Sequence, residues 1–218
     1  MIRVVLADDH TIVREGLKHL LSSTPDISVV GEAVDGFEAL QRVRELDFEV
    51  LVLDLSMPGK SGMDLIKQAR SERPGVRIVV LSMHQEHQYA VRAIRAGASG
   101  YLTKESASAQ LVSAIRKVAA GGAFISAEVA ERLAHEAHGV QPEAAYSRLS
   151  DREYEVLTLL VSGESVTAIA ARLNLSVKTI STHKARLMQK IGVDNQADLI
   201  RYAIAQGIDA DPGAERPV

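Results

Sequence analysis

The sequence predicts a doubly wound α/β domain followed by a small all-α domain. Three observations carry this. In the first half, short apolar runs alternate with segments of helical periodicity. After Gly122 the strand-like runs stop. From Leu149 onward every apolar period is helical. At about 150 residues per domain, the 218 residues suit two small domains or one large one.

Five runs read as strands: Ile2–Ala7, Ser28–Ala33, Val50–Leu53, Val76–Leu81 and Ser99–Leu102. They are mostly continuous apolar runs, the pattern of strands buried on both faces. Val13, Leu17, Leu20 and Leu21 share one helical face, and Phe37–Leu46, Leu65–Arg70, Tyr89–Ala96 and Leu111–Ala119 repeat that spacing. Five strands alternating with five helices predict a parallel sheet with helices on both faces. Pro25, Gly36, Pro58-Gly59, Pro74-Gly75, Gly97 and Gly121-Gly122 supply the turns between them.

Ser126–His135 predicts one further helix, and His138–Ser147, which has no apolar period, a linker. Ser150-Asp151-Arg152-Glu153 is a capping box, in which hydroxyl and carboxylate satisfy free N–H groups at a helix start. That helix stops at Gly163, and Val166–Leu173 follows. Val177–Ile191 lies between Ser176 as N-cap and Gly192, and the last helix runs from Asp194 or Asn195 to Gln206. The predicted organisation is therefore a first domain over 1–122, a helix and linker over 123–147, a four-helix domain over 148–209 and a flexible tail over 210–218.

Composition narrows the function. A hydrophobic fraction of 46% and a charged fraction of 24% are ordinary for a globular chain. The absence of Cys excludes disulfide scaffolds, thiol catalysis and cysteine-bound zinc. No apolar run approaches the roughly 20 residues of a membrane span. The run Val4–Ala7 meets Asp8 too soon for a secretory signal, so a cytoplasmic protein without a membrane partner is expected. A net charge of −3 argues against a basic coat, though a local patch can hide within it.

In an open parallel sheet, chemistry gathers at the carboxyl ends of the strands. Strand one ends in Asp8-Asp9, strand three in Asp54, strand four in Ser82, and Thr103-Lys104 follow strand five. If these strands are neighbours, three carboxylates, a hydroxyl and an ammonium share one rim. Such carboxylates need a cation or protons, and an all-oxygen site suits Mg²⁺. One Asp after a strand is usually a turn former; five groups at the right ends together are not. His10, His84 and His87 are read as surface histidines rather than a metal set.

Asp8-Asp9-His10, the run Val52–Gly59, Ser82 and Lys104 resemble the receiver domain of bacterial two-component response regulators, a flavodoxin-like fold. The resemblance covers about residues 2–120. It implies that Asp54 takes a phosphoryl group from a sensor histidine kinase. It implies Mg²⁺ held by Asp9, Asp54 and the Ser56 carbonyl, with Asp8 acting through water. Lys104 would pair with phosphoryl oxygens, Ser82 would move to bond one, and Tyr101 would turn inward as Ser82 moves. Ser56 and His84, two residues beyond the nucleophile and the hydroxyl, would tune phosphoryl lifetime. Glu105 stands where many receivers have Pro.

Ser165–Lys190 carries Arg172, Lys178, His183, Lys184, Arg186 and Lys190 and no Asp or Glu, a local footprint for nucleic acid. Two short helices around Asn174–Ser176 have helix-turn-helix proportions. On the third helix, Ile180, Leu187 and Ile191 share a core face, while Lys178, Ser181, Thr182 and Ala185 share another. Leu149–Gly207 resembles the LuxR-type helix-turn-helix of the NarL/FixJ class, through Leu149–Glu153, Leu175-Ser176, Lys178-Thr179-Ile180, His183 and Lys190–Val193. The resemblance implies that Val177–Ile191 is the recognition helix, with Lys178, Thr179, Ser181, Thr182, Lys184 and Ala185 toward double-stranded promoter DNA. It also implies a homodimer when phosphorylated, with the last helix as a dimerisation surface. Ser181 and Ala185 replace lysines of some members, and Ser165–Ala168 lacks the usual capping-box acid.

Two other readings fit parts of the sequence. A Mg²⁺-dependent phosphohydrolase with Asp54 as nucleophile needs a second acid two residues on, where this chain has Ser56. A helical domain that binds protein or RNA is the other.

Overall fold

The computed structural model describes residues 1–57, 62–82, 87–137 and 145–208. They form two compact units, Met1–Leu133 and Ala134–Val218. The first contains β1 (Ile2–Ala7), α1 (Thr11–Ser22), β2 (Ile27–Ala33), α2 (Gly36–Glu45), β3 (Val50–Asp54), α3 (Gly62–Glu72), β4 (Arg77–Ser82), α4 (His87–Ala96), β5 (Gly100–Thr103) and α5 (Lys104–Ala119). α6 (Ala127–Ala137) crosses the boundary.

The sheet is parallel throughout, in the order β2-β1-β3-β4-β5. The chain moves outward from β1 to β2, then returns to the far side of β1 for β3 and its successors. The switch point of the winding therefore falls between β1 and β3, where such sheets hold ligands. Val4, Leu6, Val50, Val52, Val79 and Leu81 pack with Leu17 and Leu21 of α1 and Leu111, Ile115 and Val118 of α5. Val5, Leu51, Leu53, Ile78 and Val80 alternate with them and are equally buried. Burial of both faces is why the strands read as unbroken apolar runs.

Two features depart from the sequence pattern. α5 starts at Lys104, one full segment before Leu111, because the Thr103 hydroxyl caps it by accepting from Ser106 N. Its first turns carry Lys, Glu and Ser, which conceal the period. Glu105 thus sits in a first helical turn, where its charge suits the helix dipole. Second, the chain beyond Gly122 touches the sheet once more. Phe124 bridges Gly100 in parallel, with Tyr101 N donating to Phe124 O at 2.9 Å and Phe124 N to Ser99 O at 3.0 Å. A single bridge has no alternation to read. Val129 of α6 then packs on Ala90 and Val91 of α4, beside Tyr101.

The second unit holds a short 3-10 helix (Ala145–Arg148) and α7 (Asp151–Val161), α8 (Val166–Arg172), α9 (Val177–Ile191) and α10 (Gln196–Ala205). The 3-10 helix spans the end of the predicted linker and the first residue of the predicted four-helix domain, and in it Tyr146 N donates to Tyr202 Oη at 3.3 Å. The capping box forms in both directions: Glu153 N donates to Ser150 Oγ, and Ser150 N to Glu153 Oε2 at 2.8 Å. Ser165 caps α8 and Ser176 caps α9. Asn174 takes φ 52°, the left-handed turn that joins α8 and α9, and Gly192 ends α9 at φ 84°. Tyr154, Leu157, Leu160, Ile169, Ile180, Leu187, Leu199 and Ala203 form the buried interior, while Ile191 is only half-buried.

No helix among the described residues is long and apolar enough to cross a membrane. The Pro58-Gly59 turn, His84, the linker over 138–144 and the tail over 210–218 lie outside the described residues.

Candidate functional site

The strand order makes β1, β3, β4 and β5 neighbours, so the predicted rim assembles. Asp8 follows β1 and is 1% exposed; Asp54 ends β3 and Ser82 ends β4, both fully buried. Ser82 pairs with Thr103, which places the start of α5 beside it. Lys104 Nζ donates to Asp54 Oδ2 at 2.7 Å and stands 2.9 Å from Asp8 Oδ2. The other Asp54 oxygen, Oδ1, accepts Ser56 N at 2.9 Å. That bond folds Leu55-Ser56 back over the end of β3 and turns the Asp54 carboxylate into the rim.

The charges are balanced unevenly. Burial pushes the Asp54 carboxyl up, Lys104 pulls it down and Asp8 pushes it up again, leaving it above the usual carboxylate range. For Lys104, burial works downward, yet the Asp54 and Asp8 carboxylates outweigh it and hold the ammonium above its ordinary value. One cation thus serves two nearly inaccessible carboxylates. Asp8 Oδ2 is buried against the Lys104 ammonium at 2.9 Å, and Asp9 Oδ1 is a buried atom with the His10 ring 2.9 Å away and no hydrogen bond to it. Three carboxylates drawn together around one lysine, with their oxygens directed into one space, fit a hard divalent cation such as Mg²⁺.

Three residues at this rim escaped the sequence reading. His10 Nδ1 stands 2.9 Å from Asp9 Oδ1, 3.4 Å from Asp8 Oδ1 and 3.9 Å from Asp54 Oδ2, so this histidine belongs to the pocket and not to an unrelated surface. Its place directly after two acids was the available signal. Arg14, nearly buried on α1, donates from Nη1 to the Asp8 carbonyl at 2.7 Å and from Nε to Glu32 at 3.1 Å. It fixes the turn that carries Asp8. Gly62 lies against the loop after Asp54: a Cβ there would come within 2.8 Å of the Leu55 backbone. Tyr101 is half-buried and packs in the cluster of Ala90, Val91 and Val129.

On α9, the exposed residues Lys178, Ser181, Thr182 and Ala185 form one stripe, continued by Arg186 and Gln189. Ser181 and Thr182 donate their hydroxyl protons to Val177 O and Lys178 O, both at 2.9 Å, leaving their oxygens free to accept. Two predicted contacts point elsewhere. Lys184 is half-buried and donates to Gln196 Oε1 at 2.6 Å, while the Thr179 hydroxyl shares a 2.7 Å bond with Ser176 at the helix cap. Lys190 donates to Glu153 Oε2 at 2.6 Å, tying the end of α9 to the start of α7. Burial lowers the His183 imidazole, with Arg152 and Arg186 adding to it against Glu153.

Comparison with known proteins agrees with both halves. Residues 4–116 match the response regulator receiver domain, and residues 147–203 match the bacterial regulatory proteins of the luxR family. The response regulator UvrY of Escherichia coli K12 is 34% identical over 209 residues, covering 95% of this chain and 96% of UvrY. The transcriptional regulatory protein MctR of Rhizobium johnstonii is 37% identical and covers 97% of each chain. Among solved structures, RcsB of Salmonella enterica serovar Typhimurium, bound to promoter rprA in the presence of phosphomimetic BeF3-, aligns with a TM-score of 0.66. It shares 34% identity and covers 92% of this chain and 97% of RcsB.

Proposed function

The chain belongs to the response regulators that join a receiver domain to a LuxR-family DNA-binding domain and regulate transcription, and from that premise we propose that phosphorylation of Asp54 gates its binding to DNA. The observation that carries this reading is the buried Asp54 carboxylate, held between Lys104 and the Ser56 amide at the switch point of the sheet.

In the transfer, an Asp54 oxygen attacks phosphorus of a phosphohistidine on a sensor kinase. The new O–P bond forms as the P–N bond breaks, and the departing imidazole takes up a proton. Lys104 then exchanges its bond to the free carboxylate for one to a phosphoryl oxygen. Asp9, Asp54 and the Ser56 carbonyl would hold Mg²⁺, with Asp8 behind them; the ion supplies charge neutralisation on the transferring group. Ser82, at the end of β4, would bond the phosphoryl group once its hydroxyl turns. Tyr101 would follow it inward, loosening its contact with α4 and Val129. Ser56 and His84 would set how long the phosphoryl group lasts.

Lys178, Ser181, Thr182 and Ala185, with Arg186 and Gln189, would face the major groove. With their protons committed to the backbone, the Ser181 and Thr182 oxygens would accept from adenine N6 or cytosine N4. Lys184 and Thr179 would support the helix rather than touch bases. So short a reading stripe favours two copies on adjacent half-sites, about 10 bp apart. The compartment would be the cytoplasm, where phosphodonor and DNA meet.

A small phosphodonor with Mg²⁺ should label the wild type but not Asp54→Asn, and chelation should abolish labelling. Selection from random DNA should recover a site only with phosphodonor, and Lys178→Ala should flatten the salt dependence of its binding. Equal labelling of Asp54→Asn, or no DNA recovered in either state, would overturn the reading.

A further inference from the structure

Receiver chemistry asks only for oxygen around its cation. This pocket offers a nitrogen as well. His10 is the N-cap residue of α1, and its backbone is pinned at both ends. Its N–H donates to Asp8 Oδ1 at 2.8 Å, and its carbonyl accepts Arg14 N at 3.0 Å. The ring therefore starts from a fixed root beside the carboxylates. One ligand atom each from Asp8, Asp9, His10 and Asp54 lies within 4.8 Å of the other three. Ligand atoms about 2.1 Å from one ion stand about 3 Å apart when adjacent. The 2.9 Å and 3.4 Å separations from His10 Nδ1 to Asp9 and Asp8 are of that size. Asp9 Oδ1, the oxygen 2.9 Å from the His10 ring nitrogen, is a buried atom that accepts no hydrogen bond, and the Asp8 side chain beside it is 2% exposed.

We propose that His10 is a metal-selecting residue: its Nδ1 joins the aspartates around late first-row divalent ions such as Zn²⁺, Ni²⁺ and Co²⁺, but leaves Mg²⁺ unaffected. The inference rests on reading this pocket as the receiver's cation site. The chemistry is that of donor softness. Mg²⁺ prefers oxygen and keeps its water, whereas imidazole is a favoured ligand of the later ions, which also bind N/O sites more tightly. A nitrogen at this point therefore widens the gap between the two classes. Exposure of the ring, 58%, leaves it free to approach or leave as the ion changes.

The test is calorimetric titration of the full chain with Mg²⁺ and with Zn²⁺, for wild type, His10→Ala and Asp54→Asn. His10→Ala should lose roughly tenfold or more in Zn²⁺ affinity and change little toward Mg²⁺. Asp54→Asn should weaken both ions. Long-range ¹H–¹⁵N spectra of the histidine rings should show one Nδ1 resonance moved by Zn²⁺ in wild type and missing in His10→Ala. If His10→Ala weakens both ions equally or neither, or if its ring nitrogen does not move, the selecting role is wrong while the cation site stands. If Asp54→Asn leaves Mg²⁺ affinity unchanged, the reading of the pocket falls as well.

Discussion

Each unit contains a nearly inaccessible carboxylate bonded to a lysine, and the two pairs Asp54–Lys104 and Glu153–Lys190 are tuned in opposite directions. Asp54 meets Lys104 at 2.7 Å, and Glu153 meets Lys190 at 2.6 Å. Asp54 lies above the usual carboxylate range, because burial and the neighbouring Asp8 outweigh the lysine. Glu153 lies below it: burial opposes its charge, but Lys190 and the Ser150 amide prevail. The difference is in the company, not in the salt bridge. Lys104 is divided between two acids, whereas Lys190 bonds Glu153 and otherwise the neutral Arg148 carbonyl, and Glu153 also accepts the Ser150 N–H. Asp54 is left with less positive charge than its surroundings call for, while Glu153 is a fixed joint between α7 and α9.

Removing each lysine separates the two cases most widely. In chelator, Lys104→Ala strands Asp54 beside Asp8 and should cost about 3 kcal/mol of receiver stability by urea unfolding. Mg²⁺ should return a large part of it through binding to the folded state. Lys190 is 40% exposed, and Glu153 keeps the Ser150 amide without it. Lys190→Ala should therefore cost only about 1 kcal/mol, with no response to Mg²⁺. Equal costs would show that local surroundings matter less than the comparison says.

Gly62→Ala should give the next largest effect. Its Cβ would press on the Leu55 backbone, which cannot give way without moving the Asp54–Ser56 turn. About 2 kcal/mol of destabilisation is expected, with slower phosphorylation by a small donor. Normal labelling would show that the turn absorbs the strain.

Acid titration is the finest test, because the signs are opposed. Asp54, raised above 3.8, gives a folded state that binds its proton more tightly than the unfolded chain. Its contribution is full below 3.8 and is lost as pH rises through the raised value. Glu153, lowered from 4.5, contributes above that value and loses the contribution as pH falls through the depressed one. Falling pH in chelator should thus favour wild type over Asp54→Asn, and narrow its lead over Glu153→Gln. Melting curves at matched pH read both differences, and a common sign would end the contrast.

The sequence carried what depends on period and on strand ends. β1 to β5 fall within a residue or two of their apolar runs, and in β1, β3 and β4 burial on both faces writes itself continuously. Asp8, Asp54, Ser82 and Lys104 were legible because each closes or follows a strand. What stayed hidden depends on contacts between distant segments. Nothing in Arg14 or Gly62 announces the Asp8 carbonyl or the Leu55 backbone. The resemblance put Lys184 among the residues toward DNA, but Gln196 of the following helix draws it away. His10 was adjacent to its partners in sequence, yet only the turn through Asp8 shows its ring facing them.

The Phe124 bridge bears on how molecules of this kind tolerate crowding. β5 is the last strand on its side and only four residues long, and a bare last strand is a template onto which another chain can add. Here the chain spends a residue of its own on that template. The Tyr101 amide and the Ser99 carbonyl, which a stranger's backbone would otherwise engage, are taken up by Phe124. The covering strip leads directly into α6, so it is renewed with every folding event and needs no separate partner. On this side of the sheet a strand could add only by displacing the chain's own bridge, which leaves β2 as the edge without such a cover among the described residues.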